Sequence, residues 1–512
     1  MKENSRTKNS IINSSVSIIT QVLTVLLNFV VKTVFIKALG NEYNGVNGLF
    51  TNIITMLSLA DLGIGLAIPY SLYKPLAEKD NKKIQALINF YKKIYTTIGI
   101  VVLIIGFMIT PFLNLFIKEM PDIPYLWFIY ILYVIHSASS YFFVYKKFLI
   151  DSDQKSYITS RIIFFASTLL SIIQIIILLT LKNYILFLLS SIITVIIQNI
   201  YISHVANKLY PFIKEKTNEH ITLEDKNDIK KNISALFIYK VGNVISNGTD
   251  NIVISKALGL VIVGFYNNYL LIVNSLTNIM NQVFNAITSS IGNLVVTTDE
   301  NRSKEVYMNL NFMNFWLYAL CGICLLVLIN PFIIIWLGEK YIFSFDIVLV
   351  LIINFYVAGM QSVTTSFRNA YGLFWKAKFR PIIMVIINLV ISIILVKFIG
   401  VLGVLIGTLI SRITTTAWLD PYIVHRYGFK KSCKDYYNKY ILYFIVFLIT
   451  GLISYYLSTF INVSNIFIWI IEAIITFIFV NLIFIIIFSK TKEFKYFLDK
   501  GKNFINTKIR HN

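Results

Sequence analysis

The chain has 512 residues, 57% of them apolar and only 14% charged, whereas a soluble protein of this size would divide into several domains with about 25% charged residues. Lys and Arg number 46 against 25 Asp and Glu, a formal charge of +21. This balance excludes an ordinary globular enzyme and a disordered protein, and three cysteines (Cys321, Cys324, Cys433) are too few for a disulfide framework.

What remains is an all-α polytopic membrane protein. A helix needs about 20 largely apolar residues to cross roughly 30 Å of hydrocarbon. Fourteen such stretches occur, at 15–38, 46–70, 94–117, 125–148, 158–181, 184–205, 233–257, 263–290, 309–337, 346–371, 381–398, 400–424, 440–460 and 465–488. The first follows a basic start and is long, with no small-residue cleavage site, so it reads as an uncleaved helix. The longest polar stretch, 206–231, divides the chain near its middle. It contains Thr222-Leu-Glu-Asp225, a candidate helix start. From Lys490 the tail interleaves Lys with Phe494, Tyr496, Phe497, Phe504 and Ile505. It reads as an amphipathic segment on the inner leaflet or as a solvated tail.

Orientation follows from the basic residues. With both termini in the cytoplasm, inside segments hold 36 Lys and Arg, outside loops hold six, and four lie within spans. The positive charge is then mostly an inside-loop signal with attraction to anionic lipids, not a nucleic-acid footprint. The expected location is the cell membrane, multi-pass, with N- and C-termini cytoplasmic.

The two halves align without gaps at an offset of 219. Asn13, Ser15, Ile19, Val22, Val25, Asn28 and Val34 match Asn232, Ser234, Ile238, Val241, Val244, Asn247 and Val253. The run Lys37-Ala-Leu-Gly40 matches Lys256-Ala-Leu-Gly259, and Gly45 matches Gly264, giving 12 identities over positions 13–45. Spans one and seven run in the same direction, so the repeat is of the parallel kind. The expected divisions are an N-terminal six-helix bundle (1–205), a cytoplasmic linker (206–231), a second six-helix bundle (232–426), helices 13 and 14 (427–488) and a basic cytoplasmic tail (489–512). Transporters built from such repeats bind substrate between the bundles and rock one against the other.

The helix count, the Lys-Ala-Leu-Gly connection followed by Gly45, and Leu59-Ala-Asp-Leu-Gly-Ile-Gly65 with Ala67-Ile-Pro-Tyr70 together resemble one group. It is the polysaccharide flippase (Wzx-type) branch of the multidrug/oligosaccharidyl-lipid/polysaccharide (MOP) exporter superfamily, and the resemblance spans nearly the whole chain. It implies translocation of undecaprenyl-diphosphate-linked oligosaccharide for capsule, exopolysaccharide or O-antigen synthesis, coupling to an ion gradient, and no cofactor. A polysaccharide polymerase and glycosyltransferases are the implied partners.

Eight ionisable side chains fall within the predicted spans: Lys32, Asp61, Lys240, Asp250, Arg368, Arg412, Asp420 and Glu472. Each costs about 2.5–3.5 kcal/mol at a helix centre on insertion scales, so each should face protein or a watery cavity. A diphosphate headgroup needs cations along its route, and the forked guanidinium suits phosphate best. Arg412, near mid-membrane, is the first candidate, followed by Lys240 and Arg368, with Lys32 nearer the exit. Lys240 and Arg368 lie near enough to the inner surface to snorkel instead. Alternatively, the cations merely pair with Asp420, Asp61 and Asp250. Lys32 and Asp250 occupy nearly equivalent repeat positions and are candidates for an ion pair.

Asp61 and Asp250 are candidates for ion or proton coupling, since a carboxylate in a desolvated cavity can titrate usefully. Asp61, beside Leu-Gly-Ile-Gly, also fits a helix-capping role. Four cations and four anions cancel, so Lys92, Lys93 and Arg161, at the inner ends of spans three and five, are candidates to add positive charge at the entrance. Cys321-Gly-Ile-Cys324 has metal-ligand spacing but lies inside a span with no second pair, and no metal site is expected. There is no Walker A loop, dinucleotide fingerprint or nucleophile elbow. No catalytic residue is assigned, and the chain is not expected to be an enzyme. Competing readings are an ion-coupled multidrug exporter, a lipid II flippase, and a membrane glycosyltransferase or polymerase, the last disfavoured by uniformly short outside loops.

Overall fold

The computed structural model describes residues 3–57, 71–73, 75–76, 78–153, 155–214 and 248–500. Among them there is no β-strand. The long helices are α1 (Glu3–Leu39), α2 (Asn41–Leu57), α3 (Asn81–Ile109), α4 (Leu126–Tyr141), α5 (Tyr145–Ser152), α6 (Ser156–Thr180) and α7 (Tyr184–Leu209). After the helical residues 248–258 come α8 (Leu260–Thr297), α9 (Glu300–Leu337), α10 (Phe345–Gly359), α11 (Gln361–Ala370), α12 (Arg380–Ile399), α13 (Val401–Thr414), α14 (Thr416–Ile423), α15 (Lys434–Ser458) and α16 (Ile466–Phe488).

Among the described residues, eleven stretches are long and apolar enough to cross a membrane, or twelve when α4 and α5, bent by 44° at their junction, count as one. They coincide with twelve of the fourteen predicted spans. The other two, 46–70 and 233–257, include residues outside the described ones. So do Asp61, Lys240 and the candidate helix start at Thr222.

Several helices outrun the lipid-sized apolar stretch that marks them. The third begins at Asn81, where the Asp80 carboxylate accepts from the Lys83 backbone N–H at 3.0 Å. The ninth begins at Glu300, where Asp299 accepts from the Arg302 N–H at 3.2 Å. Such caps satisfy the orphan donors of a first turn, so the helix starts there and not where hydropathy rises.

Contacts divide the chain into two compact units, Met1–Asn268 and Tyr269–Asn512. In the first unit, one buried core gathers Tyr91 and Tyr95 of α3, Tyr141 of α4, Leu149 of α5 and Ile202 of α7. The α6–α7 hairpin is pinned by Gln174, whose amide donates to Ser191 Oγ at 2.9 Å. In the second unit, Phe315 stacks on Tyr443 with ring centroids 4.4 Å apart and Tyr356 on Phe447 at 4.2 Å. Offset aromatic pairs of this kind add roughly 0.5–1.5 kcal/mol beyond the area they bury.

Pro331 interrupts α9, and beside it the Asn330 side chain donates to the Phe343 carbonyl at 2.9 Å and accepts from the Tyr269 hydroxyl at 2.6 Å. The start of the C-terminal tail packs against the second unit: Phe494 stacks on Trp316, and Lys439 pairs with the buried Glu493. This segment is therefore partly docked on protein, a contact that neither expected reading of the tail included.

Candidate functional site

The repeat found in the sequence has a geometric counterpart inside the first unit. Gly40 and Gly259, equivalent at the 219 offset, end their helices with φ of 91° and 98°. Their N–H groups donate to the equivalent carbonyls of Ile36 (2.9 Å) and Ser255 (3.1 Å). Positive φ suits glycine, so both copies turn alike at the Lys-Ala-Leu-Gly connection.

Beyond the turns the two copies meet reciprocally. A Cβ on Gly45 would collide with the backbone oxygen of Leu260, and one on Gly264 would collide with that of Asn41. Leu260 is the equivalent of Asn41, so residue i of one copy meets residue j of the other, and j meets i. Gly48 abuts Asn267, its own equivalent. Small residues let the backbones approach this closely, and the pattern marks a local two-fold axis.

Around that axis lies a hub of buried amides. Asn44 is fully buried; its Nδ2 donates to the Gly264 carbonyl and to Asn268 Oδ1, both at 2.9 Å, while its Oδ1 accepts from Lys32 Nζ. Asn41 donates to the Val261 carbonyl at 2.8 Å, and Asn251 to Asn267 Oδ1 at 3.1 Å. Tyr133 extends the network, donating to Asn47 at 2.6 Å and lying 2.8 Å from the Tyr184 hydroxyl. Asn251 Oδ1 and the Nδ2 groups of Asn267 and Asn268 have no hydrogen-bond partner among the described residues. Buried polar groups left in this way are normally completed by water or by a polar ligand group.

The Lys32 ammonium is thus bound by the Asn44 amide oxygen. Asn44, just across the short turn at Gly40, supplies a neutral acceptor closer in the chain. Asp250 is buried, and its carboxylate lies 3.5 Å from the Tyr266 hydroxyl.

The second unit contains a different kind of centre. Arg368 on α11, Arg380 at the first residue of α12 and Asp420 on α14 are all at least nine-tenths buried. Both guanidiniums donate to the same carboxylate oxygen, Asp420 Oδ2, Arg368 at 2.8 Å. Asp420 Oδ1 has no partner among the described residues. These three groups therefore hold two positive charges and one negative, and neither arginine makes the two-pronged pair that a carboxylate prefers. The proximity of Arg368 to the inner surface offered snorkelling as one reading, but at 0% exposure the side chain reaches Asp420 and not water. Arg380 had been counted with the inner basic residues 376–380. Its position one residue before the predicted span at 381 was the only available signal.

Arg412, the first candidate from the sequence, is on the helix preceding that of Asp420. It is half-buried on α13 and donates to the Asn354 carbonyl at 2.9 Å and to Asn354 Oδ1 at 3.3 Å, both neutral acceptors. Asn354 in turn donates to the Leu405 carbonyl at 2.9 Å, which holds its amide in place. Glu472 on α16 is buried, and its Oε2 has no hydrogen-bond partner among the described residues. Cys321 and Cys324 are free thiols, and no three His, Cys, Asp or Glu side chains gather around a possible metal position among the described residues. The two inner-end cations described by the structure's cavities are Arg161, lining one of about 740 Å³, and Lys92, lining one of about 320 Å³.

No protein-family model and no curated protein matches the sequence. Solved structures do. The lipid II flippase MurJ in an inward closed conformation aligns with a TM-score of 0.63 at 16% identity, over 91% of this chain and 98% of that one. A Vibrio cholerae MATE transporter aligns at 0.59 and 14% identity, over 83% and 98%. An inward-facing multidrug resistance MATE family transporter of the MOP superfamily aligns at 0.58 and 16%, over 79% and 98%. The fold resembles that of these MATE transporters and of MurJ. At these identities the likeness concerns architecture alone. Within it the chain is an all-α, multi-pass membrane protein.

Proposed function

We propose that the protein is a flippase that carries undecaprenyl-diphosphate-linked oligosaccharide across the cytoplasmic membrane by alternating access, with both termini in the cytoplasm. The observation that carries this reading is the chemistry of Arg412. A forked guanidinium at a deep span position, with Asn354 among its partners, suits an anionic phosphate group. The Arg368–Asp420–Arg380 cluster adds a second reserve of positive charge: exchanging the shared carboxylate for a diphosphate would give each guanidinium its own oxygen. Lys32 at the amide hub and Lys240 complete the proposed cation set, and Asp61 and Asp250 remain the proposed coupling carboxylates. Polyprenyl-linked substrate, anionic lipids, glycosyltransferases and a polymerase are the proposed partners, and no chemical conversion of substrate is involved. The buried arginines support an anionic lipid-diphosphate substrate over an organic cation, which they would repel.

The test is the sidedness of undecaprenyl-diphosphate glycans in cells depleted of the protein and complemented with variants. Arg412→Ala should lower outward transport at least about tenfold, the loss expected for one charge-assisted contact, at unchanged protein level, with Arg412→Lys retaining part. Wild-type transport by Arg412→Ala would sink the assignment of that residue. Normal glycan sidedness on depletion, with lipid II stalled inside instead, would move the substrate to lipid II; normal sidedness of both would end the flippase reading.

A further inference from the structure

One cavity of the first unit shares no lining residue with either polar centre. It is the groove of about 740 Å³ between α6 and α7. One wall is a helical stripe of α6 that includes Phe165, Leu169 and Ile173; the other is a stripe of α7 that includes Ile193 and Ile197. These side chains are exposed, Phe165 by 70% and Ile197 by 61%, so the groove opens outward from its helix pair. Its floor is made from smaller residues, Ala166, Ser190 and Thr194. The Ser190 hydroxyl donates to its own helix at the Phe187 carbonyl, 2.7 Å away, and so presents little unmet polarity to an apolar occupant.

Two features select the occupant. The first is length. The α6 wall runs from Ile158 to Ile173, about 22 Å at 1.5 Å per residue, whereas one leaflet is half of a roughly 30 Å core. An acyl chain of an ordinary phospholipid ends near the midplane, so chains from both leaflets would have to share this groove. A polyisoprenyl chain is long enough to fill it. The second is charge. Arg161 lines one end of the groove, its guanidinium 5.7 Å from the Tyr157 ring centroid, with Tyr201 on the opposite wall. On the topology proposed above this end is cytoplasmic, where a lipid-linked phosphate is first met.

We infer that the α6–α7 groove is a docking site for the tail of a polyprenyl-phosphate lipid, with Arg161 binding the phosphate nearest the chain. The inference rests on the flippase reading and adds to it where the lipid tail sits. Arg161 then acts as a recruiting cation outside the transport route, and its partner is the phosphate, while the groove selects for chain length.

The test uses the full-length protein in phosphatidylethanolamine/phosphatidylglycerol proteoliposomes with a diazirine-bearing undecaprenyl diphosphate. Photolabel should map to residues 158–205, be displaced by unlabelled undecaprenyl phosphate, and resist excess phosphatidylglycerol. Arg161→Gln should weaken labelling about tenfold, the loss of one charge-assisted phosphate contact. The filled-groove variant Ala166→Phe with Thr194→Trp should abolish it, while Ile176→Trp, an exposed α6 position that does not line the groove, should leave it intact and controls for folding. Equal displacement by phosphatidylglycerol, or unchanged labelling in the filled groove, overturns the site. Label elsewhere with glycan transport still dependent on Arg412 removes the groove and leaves the flippase reading standing. Loss of all polyprenyl-diphosphate transport in the wild type, with probe binding at the groove retained, removes the flippase reading instead.

Discussion

The two units handle buried polarity in opposite ways. The first builds its centre from amides, one of which, Asn44, binds Lys32. The second concentrates formal charge, two arginines on one oxygen of Asp420. Amide networks are adaptable, because each side chain both donates and accepts and no member depends on a counter-charge. A buried ion cluster is unforgiving, since removing one partner strands the other in a medium that solvates it poorly. The comparison teaches where the loss of one partner should be felt most: at the arginine cluster, where it strands a charge, and less at the pseudo-symmetric hub.

The largest effect should come from Asp420→Asn. It leaves two buried guanidiniums without their carboxylate and should cost about 3–5 kcal/mol, read as a large fall in the thermal transition of the purified protein. Arg368→Leu should cost less, because Arg380 and Asp420 still neutralise each other; equal losses from both variants would show that the cluster does not share charge. Next comes Asn44→Leu, which removes the acceptor of Lys32 and should cost about 1.5–3 kcal/mol, the range for a hydrogen bond to a charged group. Adding Lys32→Met should recover part of that loss, and no recovery would break the contrast drawn for the hub.

The smallest effect is expected at the surface. The exposed Lys430 ammonium is held above its usual range by its hydrogen bond to Glu300, 2.9 Å away, and by the carboxylate's charge. A lysine with a raised folded value stabilises fully below its ordinary range and loses that increment as pH rises through the raised value. Lys430→Ala should therefore lower the neutral-pH transition only slightly, and the difference from the wild type should vanish towards the alkaline end of a scan from pH 7 to 11. Exposed pairs of this kind contribute little.

Apolar runs long enough for a bilayer made most spans legible, because lipid contact is a property of composition. Helix ends were less so. Asp80 and Asp299 cap their helices well before the apolar stretches at 94 and 309, and hydropathy does not sense a cap. The repeat was legible from Lys-Ala-Leu-Gly and the following glycine, and those residues do form matching turns. That Gly45 and Gly264 press against each other's copy is a long-range fact with no local signature.

The polar sites were legible only as a set of candidates. Arg368 with Asp420 was among the pairings considered, but Arg380 looked like part of an inner basic loop and joins them only through the fold. The Lys32–Asp250 pairing followed from register alone. In the structure Lys32 reaches the amide oxygen of Asn44, twelve residues away. Asn44, Asn268 and Asn354 went unnoticed, since neutral amides carry no charge to mark them in an apolar sequence.

The reciprocal meeting of Gly45 with Leu260 and Gly264 with Asn41 has a consequence for how such a chain diversifies. A contact in which each copy offers the same patch to the other is the contact of a symmetric dimer. In a dimer of identical subunits every substitution near the axis is made twice, and a lysine at position 32 would bring a second lysine with it. Fusion into one chain lifts that constraint. Here the counterpart of Lys32 is Asn251, so one side carries the cation and the other a neutral amide. Joining the copies allows a shared scaffold to hold two different chemistries while the glycines at its seam stay alike.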